Sequence, residues 1–372
     1  MDFELTDEQK MIAESVDKLL SDQYDFQSRC KRLSSNERFD LSIWQQFARL
    51  GLLGMPLPTA YGGFSASISD LSVLMEPMGS SLVVEPFLYC TLGSWLLSQT
   101  ASKAIQKRYF SSIVSGETRV VVAMRPICST AFMPSHQEVT AIRDKSNRWR
   151  LSGACHMVYG SDAATHVIVF ARCGKRDMAF MLPLSACQRK SFSLVDDTGV
   201  CHISLNNVLC DADHELKCNR YTQDRVMAAA VTLLSSEAVS IMRVLNQKSK
   251  DYLQQRKQFG QPLSSFQVLQ HRLVEMYVQE ELARSLSLAL VLSMEDVKQM
   301  RQYMPQVSMT KLKINDYSQF VGEQAVQLHG GMGVSDEMDI AHYFRRLTCI
   351  RHQFGDQAYH VAKLSAMFKR GL

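Results

Sequence analysis

The sequence lacks the features that mark several common classes of protein. Its ten cysteines are scattered without a C-x-x-C pair, so neither a disulfide framework nor a zinc site has the expected spacing. The opening stretch, MDFELTDEQKMIAES, is acidic and unlike a secretory signal peptide. We find no apolar run that reaches the ~20 residues of a membrane span. These absences favour a cytoplasmic protein, with Cys90, Cys155 and Cys349 as buried free thiols.

The sequence also has little net charge. It carries 41 basic and 37 acidic residues, a formal net charge of +4, and the two signs are interspersed. No basic block is present that would favour nucleic acid as a partner. Because 46% of the 372 residues are hydrophobic, the chain is long enough for a packed core divided over two or three domains. We therefore expect no nucleic acid, membrane or metal ligand.

Three segments of different character follow one another. Residues 1–118 and residues 219–372 carry the apolar periodicity of amphipathic helices. Residues 119–218 hold short β-rich runs, such as THVIVFARC, which are separated by turn residues. This order predicts a mainly α, α+β fold: an N-terminal helical domain, a middle β-sandwich or barrel domain and a C-terminal four-helix bundle.

Local signals predict where several helices begin and end. Thr6 with Gln9, and Ser264 with Gln267, have the spacing of capping boxes. Pro77 predicts a break in a helical run, because proline lacks the N–H that a helix interior uses. The long helix after residue 219 is predicted to stop at Gly260.

Two stretches of the C-terminal segment are rich in ligand-binding residue types. QQRKQFGQPLSSFQ, residues 254–267, combines Arg256, Phe259 and Gln267, and QLHGGMGV, residues 327–334, contains closely spaced glycines. Arg256 could simply serve a helix end, and a glycine pair is often only a helix stop. Glycine also lets a ligand approach backbone N–H groups closely, so a binding role stays open.

Taken together, R-x-x-F-G-x-P-(x)4-Q and Q-x-x-G-G-x-G on this layout resemble the acyl-CoA dehydrogenases over essentially the whole chain. The resemblance implies FAD as cofactor. It implies that Arg256 meets the FAD pyrophosphate across a subunit interface, and that Phe259 and Gln267 contact the cofactor. It also implies that the adenosine half is held by Gln327, Gly330 and Gly331.

The middle segment departs from the pattern of this family. Members usually carry T-E-P-x-x-G-S-D and W-I-T segments, which cover the flavin ring. The first region here reads VVVAMRPICSTAFMP, and the second reads MVYG, with Val158 and Gly160 where Trp and Thr would stand. The departure predicts that this chain does not hold the redox end of the flavin by itself.

The catalytic base is the second departure. Many members carry it as the Glu of Y-E-G-T; here Gly355 matches the Gly and Phe354 occupies the Glu position. Asp356 is nearby, with a turn role as the plainer interpretation. Some relatives place the base just before an Arg on a long helix, where this chain has Asp224 before Arg225. The plainer interpretation of Asp224 is an acid that complements the helix dipole.

These losses make the chain similar to the smaller subunits of heteromeric acyl-CoA dehydrogenases, such as those of pimeloyl-CoA or steroid side-chain CoA esters. The resemblance implies α,β-dehydrogenation of an acyl-CoA substrate by an α2β2 assembly. A larger subunit would carry the base, and an electron-transferring flavoprotein would accept the electrons. Two alternatives stay open: a non-catalytic structural subunit that completes the FAD site, and a self-sufficient homotetramer that uses Asp224.

Overall fold

The computed structural model describes residues 5–35, 38–124, 138–219, 221–294 and 300–369. It divides into two compact units. The first comprises Met1–Lys31, Ile68–Val83 and Val231–Leu372, and the second comprises Arg32–Ser67 and Val84–Ala230. The predicted mainly α, α+β class is confirmed. The boundaries at 118/119 and 218/219 stay a prediction, because the compact units group segments that are distant in the sequence.

The helices and strands have the following bounds. The helices are α1 (Asp7–Gln23), α2 (Phe26–Ser34), α3 (Leu41–Arg49), α4 (Ile68–Ser80), α5 (Phe87–Thr100), α6 (Lys103–Val114), α7 (Thr222–Gln255), α8 (Gln267–Ser293), α9 (Met300–His329), α10 (Asp339–His352) and α11 (Gln357–Phe368). The strands are β1 (Val120–Ala123), β2 (Thr140–Arg143), β3 (Trp149–Tyr159), β4 (His166–Cys173), β5 (Arg176–Pro183), β6 (Gln188–Ser193), β7 (Gly199–Cys210), β8 (Glu215–Leu216), β9 (Lys257–Gln258) and β10 (Gln261–Pro262).

The first unit is a group of packed helices. α1 packs on α4, and α9 packs on α8, α10 and α11. The capping box predicted at the start of α1 is confirmed, since the Thr6 hydroxyl accepts from Gln9 N and the Gln9 side chain accepts from Thr6 N. The predicted break at Pro77 is wrong, because α4 continues through it to Ser80. Pro77 lies in the last turn, where its carbonyl still accepts a hydrogen bond from Ser81 N.

Helix α7 is the longest apolar element. By length and hydropathy alone it could cross a membrane, which departs from the expectation that no segment is long and apolar enough. However, 83% of its apolar window is buried inside the protein. Its apolar side chains are therefore used in packing, as in the core helix of a globular protein.

The second unit contains a mixed sheet of eight strands. Its order is β6-β7-β3-β2-β4-β5-β8, and β1 pairs with β4 in parallel. The sandwich or barrel predicted for the middle segment is thus, over the described residues, a central mixed sheet. The pairing of β3 with β7 is irregular between Cys155 and Val158, where Met157 has a left-handed φ of 53°. Such a bulge redirects the strand end.

A buried histidine of α11 makes the stability of the first unit sensitive to acid. His360 Nε2 donates to the carbonyl oxygen of Phe354 at 3.1 Å, and the side chain is fully buried. Burial, with a further contribution from Lys311, lowers the pKa of His360 from 6.5 to about 4. The neutral form is therefore favoured in the folded state, so this stabilisation is complete above pH 6.5 and is lost as the pH falls towards 4.

We expect His360→Gln to flatten the loss of stability in this pH range. The amide can still donate to Phe354 but cannot take up a proton. The dependence of the free energy of unfolding on pH should become shallower by about 1.4 kcal/mol per pH unit between about pH 4.5 and 6.5. Urea unfolding across this range measures the slope. His271→Gln, at an exposed histidine of α8, is the matched control. An unchanged slope in His360→Gln would contradict the assignment.

Candidate cofactor-binding site

Two stretches singled out in the sequence meet at one end of the helices of the first unit. The rings of Tyr252, in the last turn of α7, and His329, the last residue of α9, stack with centroids 4.4 Å apart and an interplanar angle of 29°. Arg272 Nη1, near the start of α8, donates to Gln324 Oε1 at 3.1 Å. These contacts hold the segment from Arg256 to Gln267 beside the segment from Gln327 to Gly331.

Helix α7 ends at Gln255, five residues before the predicted stop at Gly260. The chain then forms a two-residue hairpin turn between β9 and β10, with Phe259 at φ 53° and Gly260 at φ 79°. Two positive φ angles are typical of the tight turn that matches strand twist, but a phenylalanine there is uncommon. Gly260 is thus a turn residue, and the helix end is set by the hairpin that follows.

Phe259 is the most unusual side chain at this end. It is 90% exposed, and its ring lies edge to face with the ring of Phe266, with centroids 6.1 Å apart. A strained backbone and an exposed aromatic ring each carry a free-energy cost, and such features often mark binding sites. The geometry therefore suits a ring that packs on a group outside this chain.

Arg256 is held at its backbone and exposed at its side chain. Its N–H donates to Tyr252 O, and its carbonyl accepts from Leu263 N, both at 2.8 Å. No ion pair of Arg256 occurs among the described residues. A guanidinium fixed at its base and open to solvent can make bidentate contacts with phosphate oxygens.

The glycines after α9 border open space. Gly330 has φ 62°, which explains why the helix ends there, but a Cβ on Gly330 or Gly331 would meet no atom within 4 Å. Packing within the described chain therefore does not require a glycine at position 331. The close approach of a ligand to the backbone would require one. Gln327, in the last turn of α9, is exposed beside them.

The capping box predicted from Ser264 and Gln267 is wrong. Phe266 is the N-cap of α8 and provides no side-chain hydrogen bond, while the Ser264 carbonyl accepts from Gln270 Nε2 at 2.7 Å. The short helical turn Leu263–Ser265 brings the chain into α8 through backbone contacts instead. Gln267 is exposed at the first position of the helix, so capping does not occupy its side chain.

The two carboxylates considered as bases lie in different settings. Asp356 is the N-cap of α11, and its Oδ1 accepts from Tyr359 N at 2.8 Å, so the turn interpretation accounts for it. Asp224 is half-buried in the first turn of α7. The next side chain, Arg225, donates to Gln99 and lies 5.7 Å from the Trp95 ring centroid.

Phe354, at the position expected for the catalytic glutamate, is a core residue. It is 6% exposed and has a positive φ of 55°. The following Gly355 has φ 113°, and a Cβ there would lie 2.5 Å from His360 Nε2. The segment is therefore fixed by packing and by the hydrogen bond from His360, and Phe354 cannot take up a proton.

The departure in the β segment has a packing reason at Gly160. It has φ 69°, and a Cβ there would lie 2.8 Å from both Pro86 and the Tyr89 ring. Tyr89 also stacks on Tyr159, with centroids 5.6 Å apart. The space that a threonine side chain would need is thus filled by Pro86 and by Tyr89 of α5. The other departing stretch, residues 125–134, lies outside the described residues.

Sequence reasoning missed the two rings that join the site. His329 lies inside the glycine-containing stretch but has no place in the motif, and among the described residues no group of three or more His, Cys, Asp or Glu side chains could hold a metal. Tyr252 lies just before the arginine-containing stretch and outside its motif. The available signal was position, since Tyr252 is one helical turn before Arg256 and His329 directly precedes Gly330.

Comparison with protein-family models identifies the family of the chain. Residues 6–117 match the acyl-CoA dehydrogenase N-terminal domain, and residues 220–366 match the acyl-CoA dehydrogenase C-terminal domain. These matches cover most of the chain, so the protein belongs to the acyl-CoA dehydrogenase family. Membership of this family supports the prediction that FAD is the cofactor.

Individual relatives are distant but match over most of their length. The chain is 24% identical over 368 residues to the probable acyl-CoA dehydrogenase YngJ of Bacillus subtilis, with 93% of each chain covered. Its fold matches the ChsE4-ChsE5 complex from Mycobacterium tuberculosis with a TM-score of 0.89, at 18% identity over 100% of both chains. It also matches PigA with FAD and proline, with a TM-score of 0.87, at 19% identity over 100% of both chains.

Proposed function

We propose that this chain is one subunit of a heteromeric FAD-dependent acyl-CoA dehydrogenase, which performs α,β-dehydrogenation of an acyl-CoA thioester. A larger subunit carries the base, and the two unlike chains assemble as α2β2. The observation that carries the proposal is a contrast within one chain. The segments that match the FAD-binding positions are open and brought together, while the usual base position is a buried phenylalanine.

The exposure of the FAD-binding end supports a site shared between chains. Arg256, Phe259, Gln267 and the glycines at 330 and 331 all face solvent. The candidate base, Asp224, lies in the first turn of α7, whereas Arg256 directly follows its last turn. One chain thus offers its FAD-binding residues and its candidate base at opposite ends of a helix. A flavin that uses both kinds of residue is more simply served by two chains.

The residues of this chain contribute mainly binding. The Arg256 guanidinium neutralises pyrophosphate charge, the Phe259 ring packs on the cofactor, and Gln267 and Gln327 offer amide hydrogen bonds. Gly330 and Gly331 admit the adenosine half to the backbone. Bound FAD would supply the acceptor for the substrate β-hydrogen, which leaves as hydride while a carboxylate removes the α-proton. That carboxylate lies on the larger subunit.

The likeness to the ChsE4-ChsE5 complex supports a heteromer, since that protein is by its own description an assembly of two named chains. An electron-transferring flavoprotein as acceptor and a cytoplasmic location are part of the same proposal. Fatty, dicarboxylic and steroid-derived acyl groups are all compatible with the proposal. The loop YGGFSAS, residues 61–67, together with the larger subunit, would shape its pocket.

A self-sufficient enzyme that uses Asp224 is the second candidate. The observation in its favour is that Arg225 is fixed by Gln99 and Trp95, which holds the first turn of α7 in a defined position. Aspartate is one methylene shorter than glutamate, so its reach to a substrate is smaller. A third candidate, a non-catalytic structural subunit, is favoured by the cap role of Asp356 and the core role of Phe354.

Flavin content and mass of the purified chain test these candidates. We expect the chain alone to hold little flavin, and coexpression with a larger acyl-CoA dehydrogenase subunit to give a heteromer with about one FAD per unlike pair. Native mass spectrometry gives the stoichiometry, and flavin absorbance gives the content. A yellow homotetramer with about one FAD per protomer would overturn the heteromer proposal.

Asp224→Asn in the flavin-loaded assembly then distinguishes the sources of the base. Turnover of acyl-CoA should be unchanged if the larger subunit carries the base. A loss of turnover at full flavin content would instead make Asp224 the base.

A further inference from the structure

The stacked pair of Tyr252 and His329 joins the two halves of the FAD-binding end directly. The centroids are 4.4 Å apart at an interplanar angle of 29°, so the rings lie nearly face to face. Tyr252 O accepts from Arg256 N at 2.8 Å, and His329 is bonded through the backbone to Gly330. The stack is therefore a direct side-chain connection between the segment that carries the arginine and the segment that carries the glycines.

His329 is fixed in one orientation. Its Nδ1 lies 2.8 Å from the Ala325 carbonyl oxygen, which can only accept, so Nδ1 carries the proton and donates. The side chain is 3% exposed. Burial also lowers the pKa of His329, although the Ala325 carbonyl opposes this shift. A neutral, oriented imidazole thus presents its face to the phenol ring of Tyr252.

A second contact between neighbouring helices supports the same geometry. Lys248 Nζ, one turn before Tyr252 on α7, pairs with Asp339 Oδ2 at the start of α10 at 2.8 Å. This pair is partly exposed, so it contributes less than a buried contact would. The aromatic stack, in which His329 is buried, is a contact between the end of α7 and the end of α9, and such ring pairs contribute beyond their buried area.

We propose that His329, acting through its stack on Tyr252, is a positioning residue that sets the separation between Arg256 and the Gly330–Gly331 backbone for FAD. The inference rests on the proposed function, because it assigns a role within that FAD site. A cofactor that contacts both segments binds tightly only when both are in register, and small displacements of binding groups weaken such binding strongly.

The test measures the dissociation constant of FAD in the form of the protein that binds it, alone or with the larger subunit. Apoprotein is titrated with FAD, and quenching of flavin fluorescence reports binding. His329→Leu and Tyr252→Leu remove one ring each and should each weaken FAD binding about tenfold. The double variant should also bind FAD only about tenfold more weakly than the unchanged protein, since both changes break the same contact. Tyr252→Phe and His329→Phe keep a ring and should stay within about threefold of the unchanged protein.

A purely structural role gives a different pattern. In that case the melting temperature of the apoprotein falls in the leucine variants while the dissociation constant of FAD does not change. That outcome, or additive losses in the double variant, overturns the proposal. If the unchanged protein fails to bind FAD in either form, the proposed function itself is wrong. If the unchanged protein binds FAD but the leucine and phenylalanine variants have the same dissociation constant for FAD, the FAD site stands and the role of the stack is rejected.

Discussion

Glu237→Ala is expected to lower the free energy of unfolding by about 3–5 kcal/mol, because it removes the carboxylate that accepts two hydrogen bonds from a buried guanidinium. Glu237 lies on α7 and Arg346 on α10, and both are at most 9% exposed. Their contact is bidentate: Arg346 Nε donates to Oε1 at 2.6 Å and Nη2 donates to Oε2 at 2.8 Å. Both arginine donors are therefore oriented by one carboxylate.

The packing around this pair leaves little room for a substitute. A Cβ on Gly79 of α4 would lie 2.8 Å from the Glu237 carbonyl oxygen and 3.1 Å from its Cγ. Because α4 approaches so closely, water cannot easily replace the lost carboxylate. The buried arginine then keeps its desolvation cost but loses the attraction of the Glu237 carboxylate.

Urea unfolding of three variants measures this contribution. Glu237→Ala should show the full loss, while Glu237→Leu combined with Arg346→Leu should be much less destabilised, since it removes both charges together. Glu281→Ala breaks a more exposed pair with Arg284 at 2.9 Å and should change stability by less than about 1 kcal/mol. A double variant that is less stable than Glu237→Ala would mean that packing, rather than the loss of the carboxylate beside Arg346, determines the loss of stability.

Much of the fold could be predicted because its local signals are strong. The Thr6 capping box, the succession of helical and β-rich segments and the helix stop before Gly330 all follow from short sequence patterns. Predictions failed where tertiary contacts override such patterns. Pro77 lies within α4 and does not break it. Ser264 does not cap α8, because the hairpin from β9 to β10 and the short turn after it already set the direction in which the chain enters the helix.

The candidate site was predictable in its residue types but not in its assembly. The motifs identified Arg256 and Gly330, yet nothing in the sequence reveals that Tyr252 and His329, far apart in the chain, stack on each other. Packing also explains the departure from the family pattern at position 160. Gly160 stands where a larger residue is usual because Tyr89 and Pro86 occupy the space.

Arg256→Ala should weaken FAD binding about 100-fold, the second large effect that we expect. Hydrogen bonds to charged groups are the strong ones, and a bidentate guanidinium–phosphate contact contains two of them. Arg256→Lys keeps the charge but offers no planar fork, so it should recover only part of the affinity. Lys257→Ala is the matched control, because it removes a neighbouring exposed cation that has no place in the motif.

The salt dependence of binding separates a direct phosphate contact from a general effect of charge. If Arg256 and Lys257 act only through the surface potential, both alanine variants should lose similar affinity, and rising ionic strength should abolish the difference from the unchanged protein. A direct contact predicts a large loss for Arg256→Ala alone, most of which persists at high salt. Because the Arg256 backbone is held by Tyr252 and Leu263, the melting temperature of the apoprotein should hardly change. A loss of FAD binding that instead parallels a loss of apoprotein stability would exclude Arg256 as a phosphate ligand.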